Sequence, residues 1–475
     1  MEKSSFKFTL IFCIAISLVI AGCATKKQVA TQPEIFAGLA ELDITPPVGH
    51  RLAGYFDERV ATGVHDPLKA KAIVLKQGDE QIAMVFCDLV GVSLNVSSKA
   101  RARASAKTGI PISNILISAT HSHTGPLFDD TRRKYFHEMS MEKFGKDPAE
   151  KIYYPDFLVE KLVKVIVEAQ LKLKPAQLEA GVARQDNLTF NRRFHMSNGK
   201  VAFNPGQLNT NIVRAAGPSD PDVGMLLVRD VKQKLRGGLT VFAMHSDTVG
   251  GTQFSADYAY YLQETLRNEL GKNYFSAFAA GTCGDLNHIN VALKEPVKGF
   301  DVAERLGGTL GKTVLANLPK AEPIQNSSFA VRSEKITAAF QEITPEQLAD
   351  AKSKITKLGD SSAGLFMKVE AVKTLDLAEK GTNWPMEVQV FRLDSDTAIV
   401  GLPGEIFVEL GLAIKAASPF KKTIVMSICN DRPSYVPTKK AFTEGSYEVS
   451  NARVEPGVGE QLVETAIKLL REAKN

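Results

Sequence analysis

Three of the eight histidines stand where metal chemistry could be done. The short apolar run Ile115–Ala119 leads into Thr120-His121-Ser122-His123-Thr124-Gly125-Pro126. Residues two apart on a strand face the same way, so His121 and His123 are expected to converge where that strand ends. A second apolar run, Leu239 to Met244, ends at His245 and enters the loop Val249-Gly250-Gly251-Thr252. Strand C-terminal ends are where α/β sheets build their sites. Imidazole is the commonest metal ligand, and about three protein ligands with one position left for water is the pattern of catalytic zinc. The spacing therefore suits one Zn2+ ion; the competing reading is a pair of hydrogen-bonded histidines in a polar loop. A third strand end, Thr397–Gly401, is followed by Pro403-Gly404-Glu405. Glu405 there offers a carboxylate ligand, or simply complements a helix dipole. A fourth strand ends near Cys429 and runs on to Tyr435, which alone reads as a packed aromatic.

The elements that must position these groups alternate between two patterns. Lys71–Lys76 and Gln81–Cys87 flank Gln77-Gly78-Asp79-Glu80 as a hairpin, and Val223–Val228 with Leu239–Ala243 make a second. Apolar residues at three- and four-residue spacing predict helices over Tyr154–Lys174, Ser255–Leu270, Val302–Asn317 and Glu460–Glu472. Thr344-Pro345-Glu346 opens another, with Thr as N-cap. Further strands are expected at Phe275–Ala280, Met386–Leu393, Thr397–Gly401 and Thr423–Cys429, and a helix from Glu405 to Ala417. Hairpins interspersed with crossover helices give an α/β fold, a mixed β-sheet with flanking helices. The charged stretch Asp129 to Asp156 reads as an irregular insertion, either a lid or rim or a solvated loop.

With 475 residues, 44% apolar and 23% charged, the chain has the composition of a globular protein, which excludes a disordered tail, a collagen and a multi-span membrane protein. A net charge of +5 without a Lys/Arg run gives no nucleic-acid footprint. Lys3 and Lys7 precede an uncharged stretch from Phe8 to Gly22, too short for a membrane span of ~20 residues and laid out as a secretory signal. Ile20-Ala21-Gly22-Cys23 resembles the bacterial lipobox. That resemblance implies a signal peptide over 1–22 and a Cys23 carrying diacylglycerol and palmitate-like chains. It also implies a tether over 23–35 and a globular domain over 36–475, anchored by lipid to the bacterial cell envelope. Ala24 in place of Asp would favour the outer membrane of a Gram-negative cell. With Cys13 in the signal segment, three of the five cysteines remain in the mature core, Cys87, Cys283 and Cys429, and this odd number argues against a disulfide framework.

Taken in order, the motifs resemble the catalytic domain of the neutral (non-lysosomal) ceramidase family. The resemblance runs from Ala40-Glu41-Leu42-Asp43-Ile44-Thr45-Pro46-Pro47 through Thr120–Pro126, Asn191-Arg192, the strand ending at His245 and Pro403-Gly404-Glu405 to Tyr435-Val436-Pro437-Thr438 and Tyr447. It implies a zinc ion held by His121, His245, Glu405 and Tyr435. His123 then lies beside the scissile carbonyl as general acid, and Arg192 and Tyr447 position an N-acyl or lipid-like substrate. The family's Gly-Asp-Val-Ser-Pro-Asn stretch is Gly284-Asp285-Leu286-Asn287-His288-Ile289 here. Asn287 replaces a serine often assigned as nucleophile, and an amide cannot accept an acyl group in the ordinary way. Zinc-activated water must then attack, with Asn287 as a donor to the oxyanion. Leu127-Phe128 replace glycines at the rim, which puts ceramide itself in doubt. The family's C-terminal immunoglobulin-like domain is not expected here. The function read from the sequence is thus zinc-dependent hydrolysis of a linear amide, the alternative being a non-catalytic or ester-hydrolysing surface lipoprotein of the same fold. An (β/α)8-barrel amidohydrolase is disfavoured, because the hairpins break its strand–helix alternation.

Overall fold

The strands that read as near-continuous apolar runs do so because both faces of their sheet are covered. A computed structural model describes residues 34–325, 328–360 and 362–475, with Met1 and Glu2; Cys23, the signal segment but for its first two residues and most of the tether lie outside the described residues. Strands β1 (Ile35–Asp43), β2 (Lys69–Gln77), β3 (Glu80–Cys87), β4 (Ile115–Ala119), β5 (Lys174–Arg184), β6 (Asp222–Asp230), β7 (Leu235–Phe242) and β8 (Phe275–Ala280) lie side by side in the order β8-β7-β6-β5-β1-β2-β3-β4. The two hairpins form as expected, β2 with β3 and β6 with β7, both antiparallel. At each end of the sheet the outermost pair is parallel, β3 with β4 and β7 with β8. A second sheet follows, β9 (Ala330–Ala339), β10 (Asn383–Arg392), β11 (Thr397–Gly401) and β12 (Lys422–Met426), in sequence order.

Alternation along the strands divides the core. Ile73, Met84, Phe86 and Leu116 point to one side, where they meet Phe391, Ile399, Ile424 and Met426 of the second sheet. Val74, Val85, Ile115 and Ile117 point to the other. There they meet helices α1 (Leu94–Thr108) and α3 (Tyr154–Leu171), while α2 (Thr131–Phe144) lies outside that layer. Helices α4 (Tyr258–Leu270) and α5 (Phe300–Asn317) cover the β6–β8 end. The second sheet has α6 (Pro345–Lys354) and α7 (Leu365–Lys380) inserted between β9 and β10. Its outer face is buried by α8 (Val408–Ala417) and α9 (Val458–Lys474). The layers run helix, sheet, sheet, helix, and each fully buried Leu, Ile or Phe contributes about 1.5–3 kcal/mol.

The large sheet twists until its two ends meet: β8 approaches β3 and β4. The segment after β12 joins them. The Ser427 backbone N–H donates to Ala280 at the end of β8 (2.9 Å), and that of Asn430 donates to Ile117 of β4 (2.7 Å). This closure brings the C-terminal ends of β4, β7, β11 and β12 to one place.

Three sequence expectations are corrected. Residues 131–144 are not irregular but form α2, capped by Asp130, whose side chain accepts from the Arg132 N–H. Its charged face hid it from apolar periodicity. Glu405 does not open a helix: it pairs in a short strand Glu405–Ile406 parallel to Tyr435–Val436, and α8 begins at Val408. Helices α1 and α7 and strands β5 and β9 had no clear signal, because their apolar faces are narrow or interrupted by charge. Among the described residues no helix is long and apolar enough to cross a membrane.

Asp88, just after β3, is buried with its carboxylate accepting the Lys69 N–H (2.9 Å). Burial pushes this carboxyl up to about 6, with Lys71 pulling it down only in part. An unfolded aspartate ionises near ~3.9, so the folded chain holds this proton longer and Asp88 costs stability as pH rises from about 4 to about 6. Asp88→Asn does not titrate. It should gain on the wild type by about 3 kcal/mol across that span in urea unfolding; a difference independent of pH would refute the placement.

Candidate functional site

The paired histidines converge by a turn rather than by strand alternation. Strand β4 ends at Ala119, and His121 adopts a left-handed backbone with φ 69°. Such strain persists only where the surroundings hold it. Here the hydroxyls of Ser122 and Thr124 both donate to the Ser255 carbonyl, at 2.6 and 2.9 Å. The result sets His123 Nε2 3.4 Å from His121 Nε2. His245, three residues beyond β7, comes closer, its Nε2 2.9 Å from that of His121.

The other ring nitrogens fix what these atoms are. His121 Nδ1 lies 2.7 Å from the Val90 carbonyl and His245 Nδ1 lies 2.9 Å from that of Cys283. A carbonyl only accepts, so each Nδ1 carries a proton, and in the metal-ligating tautomer each ring turns an Nε2 lone pair to the other. Glu405 Oε2 adds a third, 3.5 Å from both nitrogens, and has no hydrogen-bond donor although buried. Three lone pairs facing one another repel unless a cation lies between them. With ligand bonds of ~2.0–2.1 Å, tetrahedral zinc ligands stand ~3.4 Å apart, and the separations here bracket that value. The donor set fits a divalent metal. Burial pushes His245 down to about 4, with Arg192 adding to it.

Backbone packing sets Glu405 in place. Gly284 passes so close beneath it that a Cβ would sit 2.4 Å from the Glu405 carbonyl oxygen, and Gly404 turns with φ 83°. The Glu405 N–H donates to Ser434 (2.9 Å), in register with Tyr435. The Tyr435 ring stacks at 6.4 Å on His245, and its hydroxyl accepts from Arg192 Nη2 (3.1 Å). The same Nη2 donates to the Gly284 carbonyl (2.8 Å), and Arg192 Nε donates to Glu448 (2.8 Å). Arg192 thus braces Tyr435 and is not on the cavity wall. Tyr447 is on it, with its ring 5.7 Å from that of Tyr435. Asn287 is buried and off the wall: its Nδ2 donates to Asn204 (2.9 Å) and its Oδ1 accepts from the Ile289 N–H (3.0 Å).

A cavity of about 840 Å3 opens onto His121, His123, Glu405, Tyr435 and Tyr447. Beside His123 lies a group that the motifs did not single out. Asp247 Oδ1 is 3.8 Å from His123 Nδ1, accepts from Tyr55 (2.5 Å) and pairs with Lys298 (2.5 Å). Burial would raise Asp247, yet His123 and Lys298 hold it well below the usual range. Its position two residues after His245 was the available signal. Glu448, buried beneath Arg192, gave none beyond its adjacency to Tyr447. The three histidines 121, 123 and 245 form one group able to hold a metal; a second group, His137, Asp147 and Glu150, already has its carboxylates paired with Arg51 and Arg133.

The comparisons with known proteins agree with this architecture. The family model described as neutral/alkaline non-lysosomal ceramidase, N-terminal, matches residues 36–293, more than half the chain. The neutral ceramidase of Pseudomonas aeruginosa is 24% identical over 511 residues, covering 94% of this chain and 72% of that protein. The crystal structure of neutral ceramidase from Pseudomonas aeruginosa superposes with a TM-score of 0.70 at 20% identity, over 93% of this chain and 74% of that one. A ceramidase complexed with C2 does so with a TM-score of 0.69 at 20% identity, over 93% and 76%. Those two superpositions carry the fold, and the family-model match carries the membership: this chain, a ceramidase-like hydrolase in its architecture, belongs to the neutral/alkaline non-lysosomal ceramidase family.

Proposed function

We propose that the chain hydrolyses a linear N-acyl amide with one Zn2+ held by His121, His245, Glu405 and Tyr435. The observation that carries this reading is the convergence of the His121, His245 and Glu405 lone pairs at 2.9–3.5 Å with no donor among them. A divalent cation there supplies Lewis acidity, acidifying a water and polarising the scissile carbonyl. His123 faces the same cavity, and burial keeps its imidazole neutral, well below the usual histidine range. A neutral imidazole can take the proton of the attacking water and return it to the departing amine. Asp247 sits on the far side of that ring and stabilises it while charged. Tyr447 lies on the wall against the substrate, and Arg192 keeps the Tyr435 hydroxyl in place.

Metal analysis and turnover test this together. The purified protein should carry one equivalent of divalent metal, and chelation should abolish hydrolysis across a panel of N-acyl amides. His245→Ala should bind the metal at least about 10-fold more weakly. A wild type without stoichiometric metal, or a variant that retains it, would remove the reading.

Water is the attacking group because Asn287, at the family's serine position, has no nucleophile. Asn204 engages its Nδ2 and the Ile289 N–H its Oδ1, and Asn287 stands off the cavity wall, so the oxyanion role expected of it from the sequence is not carried into this reading. Asn287→Ala should therefore leave kcat within about threefold of the wild type and metal content unchanged. A fall in kcat of about 10²–10³ at unchanged metal content would return the oxyanion role to Asn287.

We also assign Cys23 as the acylated residue of an envelope lipoprotein, on the strength of Ile20-Ala21-Gly22-Cys23. Intact-mass analysis should find a diacylglyceryl-modified N-terminal Cys23, and Cys23→Ser should shift the protein from membrane to soluble fractions. An unmodified mature chain would sink the assignment.

A further inference from the structure

The cavity wall beyond the metal ligands is built from ions, and its donors and acceptors are unevenly spent. Asp130 is shared between two arginines: its oxygens accept from Arg132 Nε and Nη2 (both 2.8 Å) and from Arg432 Nη2 (3.0 Å). Asp376 is likewise shared, between Lys380 (3.0 Å) and Arg453 (3.0 Å). Two carboxylates thus serve four cations. The other acids on the wall are largely met by neutral donors or stand in solvent. Asp431 accepts the Leu94 N–H (2.9 Å), its neighbour Arg432's N–H (2.7 Å) and Trp384 Nε1 (2.7 Å). Asp129 accepts from Ser93 (2.5 Å) and Asn95 (3.2 Å). Glu138 and Glu379 are exposed, and Glu379 pairs with Lys134.

The cations are not used up. Arg432 spends only Nη2 on an acid, Lys380 makes one contact to Asp376, and exposed Lys99 has no acidic partner among the described residues. All three line the cavity that holds His121 and Glu405. A two-chain neutral lipid would desolvate these cations and leave their remaining N–H groups unmet, whereas an oxyanion would take up those N–H groups.

We propose that the substrate carries an anionic group, a carboxylate or phosphate, beyond the scissile amide, and that Lys99, Lys380 and Arg432 receive it. This rests on the hydrolase reading of the same site and narrows its substrate class to acidic N-acyl amides. The polar wall works by charge pairing in a partly enclosed space, where charge-assisted hydrogen bonds are roughly twice as strong as neutral ones.

Trp384 is the only tryptophan of the chain. It bonds Asp431 and has Lys380 Nζ 5.1 Å from its ring centroid, so its fluorescence reports on this wall without reference to turnover. The metal-loaded protein would be titrated with N-hexanesulfonylglycine, the phosphate ester of N-hexanesulfonylethanolamine, and neutral N-hexanesulfonylethanolamine, all resistant to hydrolysis. At least one of the two anionic probes should bind at least about 10-fold more tightly than the neutral one. Which of them does so tells carboxylate from phosphate. The preference should fall below about threefold in the Lys99→Gln/Lys380→Gln double variant, with each single variant intermediate. Equal affinities, no saturable change with either anion, or a preference that survives both substitutions would overturn the proposal, the last because the anion would then be held by the metal alone. The matching hexanoyl amides separate the two readings: turnover without preference leaves the hydrolase standing and removes the anion site, while anion binding without any turnover does the reverse.

Discussion

Two neutral imidazoles and a carboxylate cannot face one another across about 3 Å without something positive between them. The carbonyls of Val90 and Cys283 capture the Nδ1 protons of His121 and His245, which leaves the Nε2 atoms bare. Glu405 arrives with an oxygen that no donor meets. Each of these placements is costly alone, because a buried polar atom without a partner loses its hydration for nothing in return. Together they define one position where a cation satisfies all three.

The fold supplies the closure that this arrangement requires. His121 and His245 follow strands near opposite ends of an eight-stranded path, and would be far apart in a flat sheet. Twist brings the ends together, and Ser427 and Asn430 fasten them through the Ala280 and Ile117 carbonyls. The same connecting segment then carries the chain on to Tyr435, while Gly284 allows the backbone of Glu405 to lie directly on the turn that holds His245. Arg192 and Glu448 form a buried pair behind Tyr435, so the aromatic wall is set by charge as well as by packing. The far wall, with its shared carboxylates and unspent lysines, differs in kind from the apolar groove that a long acyl chain would fill.

Much of this was legible in the sequence because both the core strands and the site are locally marked. Hairpins β2–β3 and β6–β7 showed as apolar runs around polar turns, and α3 to α5 as amphipathic spacing. The residues His121, His123, His245, Glu405, Tyr435 and Tyr447 all reach one region of the structure. The reasons for their convergence were less visible. The HxH pair was read as alternate strand positions, yet it is a turn with His121 left-handed, a geometry set by Ser255 more than a hundred residues away. Glu405 was placed on a helix, because a two-residue parallel bridge to Tyr435 leaves no local trace. Helix α2 escaped because charge, not apolar spacing, is what it presents. Asp247 and Glu448 act through tertiary neighbours and have no motif of their own. Arg192 and Asn287 carried family roles, but their contacts turn them towards the protein rather than the cavity.

The four proposed donors come as two pairs from distant parts of the chain. His121 and His245 lie within residues 36–293, whereas Glu405 and Tyr435 come from the smaller sheet and its exits. Neither portion alone holds all four proposed donors, so capture of the proposed ion has to await the joining of segments separated by up to about three hundred positions. Contacts of such long sequence range form late and slowly. Metallation should therefore act as a seal on completed folding rather than as a nucleus for it, holding shut the junction of the two sheets only after the chain has built it.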